Sequence, residues 1–220
     1  MLIVRPPSLL TRALHRMTWD LHGDHREVYL TFDDGPTPVV TPWVLEHLDQ
    51  ADAKGTFFCL GRNVDKHPEI YHQILSRGHS VGNHSYSHLK GFRSSIRRYM
   101  DDINLASDMI DSKLFRPPYG RIFPGQVKAV LQHYDIIMWD VLSIDYNSGL
   151  SGDRVLHNVT RNVKPGSIIV FHDSDKAADN LYYALPRTLE FLKEEGYSMK
   201  SIPSSGLPAA NLPDTDFAAN

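Results

Sequence analysis

A single cysteine, Cys59, rules out a disulfide framework within one chain of 220 residues. Its setting, Thr56-Phe57-Phe58-Cys59-Leu60, is that of a buried inert thiol and not of a nucleophile. Charge of one sign is also missing. The 23 Lys and Arg against 26 Asp and Glu leave a net −3, which gives no electrostatic reason to expect a nucleic-acid partner. Long apolar runs are absent as well: Met1-Leu2-Ile3-Val4 is broken by Arg5-Pro6-Pro7, too early for the apolar region of a signal peptide, and no later run approaches a transmembrane span. The chain as written is expected to be soluble and cytoplasmic, with export by another route left open. What remains, 41% hydrophobic and 22% charged, is the composition of an ordinary globular protein, long enough for one α/β domain with a full core.

From Glu27 onward the sequence alternates apolar runs of strand length, polar turn motifs and segments with helical spacing, which is the βα rhythm. Strands are expected at about 28–32, 54–60, 79–82, 114–116, 136–146, 167–171 and 197–200, with helices between most of them, among them one after Gly61 through Ile70, Ile74 and Leu75 and a long one over about 94–112. Gly78 and Gly196 mark helix ends. Continuous apolar strands predict a parallel sheet covered on its outside, and a closed barrel fits at least as well as an open doubly wound sheet. Residues 1–25 read as an N-terminal extension packed on the barrel, 26–202 as the domain, and 203–220, rich in Ala, Pro, Asn and Asp, as a flexible tail.

Polar motifs stand at the C-terminal ends of these strands, where a barrel places its active site. Thr31-Phe32-Asp33-Asp34-Gly35-Pro36 puts two carboxylates side by side at the end of a buried strand. Such a pair repels itself and gives up water, so it calls for compensating positive charge, unless it merely caps the following helix. His84 and His88, four apart, can aim both imidazoles in one direction, and with an Asp they make a two-His, one-carboxylate face that leaves metal positions open, as in catalytic sites. Arg116 enters Arg116-Pro117-Pro118-Tyr119-Gly120 from a strand end, placed to pair with a carboxylate. His172 ends the apolar strand 167–171, and Asp145 could hold its ring nitrogen and raise its pKa toward that of a general acid. Of the twelve histidines, His15, His22, His25, His47, His67, His72, His133 and His157 read as solvated.

The stretches TFDDGP, NHSYSH, RPPYG, WDVLSIDY and VFHD resemble, in order and approximate spacing, the motifs of the polysaccharide deacetylases that share the NodB homology domain, carbohydrate esterase family 4. The likeness runs from about Glu27 to Ile202. It implies a distorted (β/α) barrel of about seven parallel strands with its active site at the C-terminal strand ends. It also implies a divalent metal, most commonly zinc with cobalt or another ion as alternatives, and hydrolytic removal of N-acetyl groups from the amino sugars of a poly- or oligosaccharide. Carried over by position, Asp33 is the catalytic base and Asp34, His84 and His88 are the metal ligands. Arg116 orients the base, the Tyr119 backbone N–H helps hold the oxyanion, and His172 is the acid tuned by Asp145. Pro117, Tyr119, Tyr146 and Val170 are expected at the substrate. The chain departs from the pattern at Tyr146, where Trp is common, at Leu142, where Asp is common, and at Val170, where Leu is frequent. These changes bear on substrate range more than on the reaction.

Two other readings compete. Two His and one carboxylate also suit a non-haem iron oxygenase. That chemistry needs neither the second carboxylate, nor Arg116, nor an acid at His172. A catalytically silent sugar-binding relative is the other, and the full set of polar residues speaks against it.

Overall fold

In the computed structural model, residues 4–21 and 25–207 are described. Seven parallel strands run in the order β5-β4-β3-β2-β1-β7-β6: β1 is Glu27–Asp33, β2 Gly55–Cys59, β3 Ser80–Asn83, β4 Leu114–Phe115, β5 Asp135–Ile136, β6 Val141–Leu142 and β7 Ile168–His172. An eighth, Ser198–Met199 (β8), pairs only with the start of β1. Helices Val40–Gln50 (α2), Gly61–Lys66 (α3), Pro68–Ser76 (α4), Ile96–Ser107 (α5), Pro124–Val130 (α6), Gly152–Thr160 (α7) and Ala178–Glu194 (α8) cover the sheet, and a short α1, Ser8–Ala13, precedes it. The curled sheet with its helices is the expected distorted α/β barrel. Among the described residues no helix is long and apolar enough to cross a membrane.

The central strands are apolar on both faces because both are covered. Every residue of β2 is buried, and Phe32 lies against Phe57 and Phe171 with ring centroids 4.9 and 6.3 Å apart. α2 contributes Val40, Val44, Leu45 and Leu48, the three-and-four spacing of a helix with one buried stripe. Two expected elements are divided differently. The helix expected after Gly61 is two helices, because Pro68 has no N–H to continue the first and starts the second instead. The helix expected over about 94–112 is shorter, beginning after Ser95, whose hydroxyl accepts from the Arg98 N–H.

The larger difference is at 136–146, which reads as one strand and is two, β5 and β6, at opposite ends of the sheet. Apolar content does not say where a backbone's hydrogen bonds go. The carbonyls of Ile137 and Met138 accept from the Arg116 guanidinium, and the Met138 N–H donates to Thr18. The sheet is thus not closed by strand pairing between β5 and β6. Residues 137–140 cross that seam, and the N-terminal segment lines it through bridges of Thr18 to Ile137 and Asp20 to Ser167. At the other end of the described chain, Ser204 bonds Val81 and Lys113, and Leu207 is buried, so packing continues to residue 207. His22 and the expected tail beyond 207 lie outside the described residues.

Strand register sets the rim. Asp33 is level with Phe58 and His172, Cys59 with Asn83, Asn83 with Phe115, and Leu142 with Val170. The residues that end or immediately follow these strands therefore meet at one face of the barrel.

Candidate active site

Asp33 closes β1, and its carboxylate is nearly buried. Oδ1 accepts from Arg116 Nη1 at 2.7 Å. Arg116 is the largest fully buried side chain of the described residues, and it is satisfied on every side: Nη1 also donates to Thr31 Oγ1, Nε to the Ile137 carbonyl, Nη2 to the Met138 carbonyl, and Phe58 lies 4.0 Å from the guanidinium. Burial holds Arg116 below its ordinary pKa, opposed by the Asp33 charge. A charge so placed is tolerable only because it is paired and fully hydrogen-bonded.

Asp34 takes a left-handed backbone, φ 80°, which turns its side chain away from that of Asp33 toward the histidines. Its Oδ1 stands 3.2 Å from His88 Nε2 and 3.7 Å from His84 Nε2. The loop after β3 aims both rings by turning left-handed at Ser85 and His88, and is fastened to α5 by Ser87 on Asp102 and by Asn83 on the Ile103 carbonyl. His84 Nδ1 lies 2.7 Å from the Arg116 carbonyl, so it carries the proton and leaves Nε2 a lone pair. Burial, then His84, lower the His88 pKa to about 4, against the raising influence of Asp34 and Asp33. Burial pushes Asp34 up, but His172, His84, His88 and Arg62 together hold it below the usual range. One ligand atom from each of Asp34, His84 and His88 lies within 4.8 Å of the others.

Across the site, His172 ends β7. Its Nδ1 and its backbone N–H both meet the buried Asp145 carboxylate, each at 2.7 Å. A carboxylate only accepts, so Nδ1 bears the hydrogen and Nε2 is left to exchange a proton. Burial alone would lower the His172 pKa; the Asp145 charge and hydrogen bond, followed by Asp34 and Asp33, raise it to about 9.

Asp33, Asp34, His84, His88 and His172 border a cleft of about 640 Å³, to which Tyr119, Tyr146, Leu142 and Val170 contribute, while Arg116 and Asp145 stand behind it, fully buried. A smaller cleft of about 400 Å³ shares Asp34, His88 and Lys176 with it, so open space flanks the acid and histidine cluster on two sides. Tyr119 is also left-handed, at φ 61° and ψ 9°, and its ring lies 4.4 Å from His88. The Tyr146 ring stands edge-on to His172 at 4.9 Å. Pro117 is buried and does not line the cleft; its carbonyl accepts from Gly120 and so shapes the turn that carries Tyr119.

Sequence reasoning missed two residues. Trp139 forms part of the cleft wall and packs so tightly on Gly120 that a Cβ there would fall 2.3 Å from its ring. Asp173, fully buried, accepts from the Gly35 N–H at 3.1 Å and from Thr41 at 2.6 Å, fastening the turn after Asp34. Burial raises its pKa to about 7, with the Thr41 hydroxyl the largest opposing influence. The only signal for it was its place directly after His172.

A family model described as polysaccharide deacetylase matches residues 21–138. A peptidoglycan-N-acetylglucosamine deacetylase of Bacillus cereus is 37% identical over 186 residues, covering 81% of this chain and 67% of that protein. A chitooligosaccharide deacetylase of a Bradyrhizobium species is 31% identical over 212 residues, covering 87% and 95%. Among solved structures, a peptidoglycan N-acetylglucosamine deacetylase superposes with a TM-score of 0.83 at 32% identity, covering 91% of this chain and 97% of that one.

Proposed function

The chain belongs to the polysaccharide deacetylase family, and from that premise we propose that it is a metal-dependent hydrolase that removes N-acetyl groups from the amino sugars of a glycan. The observation that carries this reading is the orphaned Asp34 Oδ1. Among the described residues it is a buried carboxylate oxygen without a hydrogen-bond partner, facing the Nε2 atoms of two imidazoles. Left so, it is costly; with a cation among the three donors it is satisfied. Asp34, His84 and His88 would hold the ion, with zinc the best match to one carboxylate and two imidazoles and cobalt a substitute. A bound ion supplies Lewis-acid chemistry, polarising a carbonyl oxygen and making water more acidic.

The chain's own residues do the remainder. Asp33, its Oδ1 held by Arg116 at the edge of the cleft, takes the proton of the attacking water. The left-handed turn at Tyr119 presents a backbone N–H to the oxyanion, a type of donor typically worth about 3–4 kcal/mol in the transition state. His172 Nε2 gives its proton to the departing amine, which would otherwise leave as an anion. Tyr146, Leu142 and Val170 shape the wall nearest His172, where the acetyl methyl would sit. The paired acid and base favour hydrolysis over oxygen activation, which has no use for either.

Removing the ion is the direct test. Chelation is expected to abolish acetate release from N-acetylated oligosaccharides, and added zinc or cobalt to restore it. His84→Ala should lose both bound metal and activity. Full turnover by a preparation shown to be metal-free would refute the scheme.

The role of His172 has its own signature in pH. The Asp145 charge favours the imidazolium, so Asp145→Asn should lower the His172 pKa from about 9. An acid must be protonated to act, so the alkaline limb of kcat should move to lower pH in this variant. An alkaline limb that stays in place while the rate falls would mean that Asp145 is only structural.

A further inference from the structure

One part of the cleft takes no part in the chemistry above. Apart from Asp33 and Asp34, each Lys, Arg, Asp or Glu side chain lining it is a cation, although the whole chain carries a net charge of −3. Three of them, Lys90, Arg93 and Arg121, come from two neighbouring segments, and among the described residues none has an acidic partner; Lys90 lies 5.2 Å over the Tyr119 ring. Unpaired like charges gathered at one rim repel one another, and a bound anion would relieve that repulsion.

The same segments expose an aromatic pair. Phe92 and Phe123, 50% and 39% exposed, meet with ring centroids 4.2 Å apart, and Phe92 lines the cleft. Paired phenyl rings exposed at the mouth of a cleft offer an apolar face on which a ligand ring could stack.

Neither feature is an accident of loose loops. Gln126, fully buried, accepts from the Phe123 N–H at 3.0 Å and donates to the carbonyls of Gly91 and Ser94 at 3.0 and 3.1 Å. A side chain at position 91 would strike the Arg121 carbonyl at 2.7 Å, so the two segments are in direct backbone contact. One buried amide therefore holds the aromatic pair and the cations together on a prepared platform.

Building on the deacetylase reading, we infer that Phe92, Phe123, Lys90, Arg93 and Arg121 form a second sugar subsite that recognises an anionic residue, bearing carboxylate or phosphate, in the same glycan as the reacting N-acetyl sugar. The pyranose lies on the phenyl rings and its anion faces the cations. The subsite sets which glycan is preferred and leaves the bond-breaking groups untouched.

The test compares acetate release from three oligomers of equal length: β-1,4-linked N-acetylglucosamine, the same oligomer carrying 6-carboxylates, and the same carrying 6-phosphates. In the wild type, kcat/KM is expected to be higher for an anionic oligomer than for the neutral one, with the advantage shrinking as salt is added. Replacing two of the three cations (Arg93→Gln with Arg121→Gln) should cut the anionic-to-neutral ratio roughly tenfold, the sum expected for two exposed charge contacts. Phe92→Ala should weaken all long oligomers and spare the monosaccharide. Whichever anion shows the larger loss identifies the source. A ratio unchanged by the double substitution overturns the subsite while leaving the deacetylase reading intact. If no oligomer releases acetate, that reading falls, and titration calorimetry with the same oligomers still decides the subsite. Anionic binding weakened about tenfold in the double variant sustains it, and equal affinity overturns it.

Discussion

Asp33→Asn is expected to bind a divalent ion as the wild type does and to release acetate about a thousandfold more slowly, the middle of the range for loss of a positioned base. Asn keeps the shape and can still accept from Arg116 Nη1 through Oδ1, so the water would find its place but not its proton acceptor. The change also removes the only charge that, among the described residues, pairs with a guanidinium that is 0% exposed. Breaking a buried pair costs about 3–5 kcal/mol when nothing replaces it, and the surviving hydrogen bond should limit the cost to the lower part of that range. Metal content, thermal unfolding and single-turnover acetate release, measured on one preparation, separate the two effects. Turnover within tenfold of wild type would remove Asp33 from its role.

The second large effect comes from a single added methyl group. A Cβ on Gly35 would lie 2.0 Å from Asp173 Oδ2 and 2.5 Å from its Cγ, contacts no side chain sustains. Asp173 cannot swing aside freely, because Thr41 and the Gly35 N–H hold its carboxylate in a fully buried position. In Gly35→Ala either the turn after Asp34 shifts, carrying the proposed metal ligand with it, or a buried carboxylate loses its partners. Either outcome should cost about 2–4 kcal/mol, which for a chain of this size lowers Tm by roughly 5–15 °C. Metal affinity should fall as well, a change that separates a displaced Asp34 from a general loss of stability. Wild-type Tm and metal affinity together would show that the turn is not clamped as described.

Most of the candidate site was legible because its residues stand where apolar runs stop. Asp33, His84, Arg116 and His172 each end or directly follow a strand, and a parallel sheet brings strand ends to one face whatever the intervening loops do. What could not be read is whatever depends on a partner far along the chain. Asp173 looked like a neighbour of His172, and its partners lie 132 and 138 residues away. Gln126 sits in an ordinary amphipathic helix, and only the folded chain shows that its amide joins two loops. The run 136–146 had the composition of one strand, but a buried arginine, not a neighbouring strand, claims two of its carbonyls. His79 was of the same kind, a buried ring whose Nδ1 accepts from the Gly55 N–H.

Arg116 reaches from the end of β4 to Thr31 and Asp33 on one side and to Ile137 and Met138 on the other. The second pair belongs to the segment that crosses the β5–β6 seam, where the barrel has no strand pairing of its own. Parting of that seam would withdraw the carbonyls that hold the guanidinium, and with it the orientation of Asp33. Integrity of the barrel at this seam and the placement of Asp33 thus depend on the same side chain.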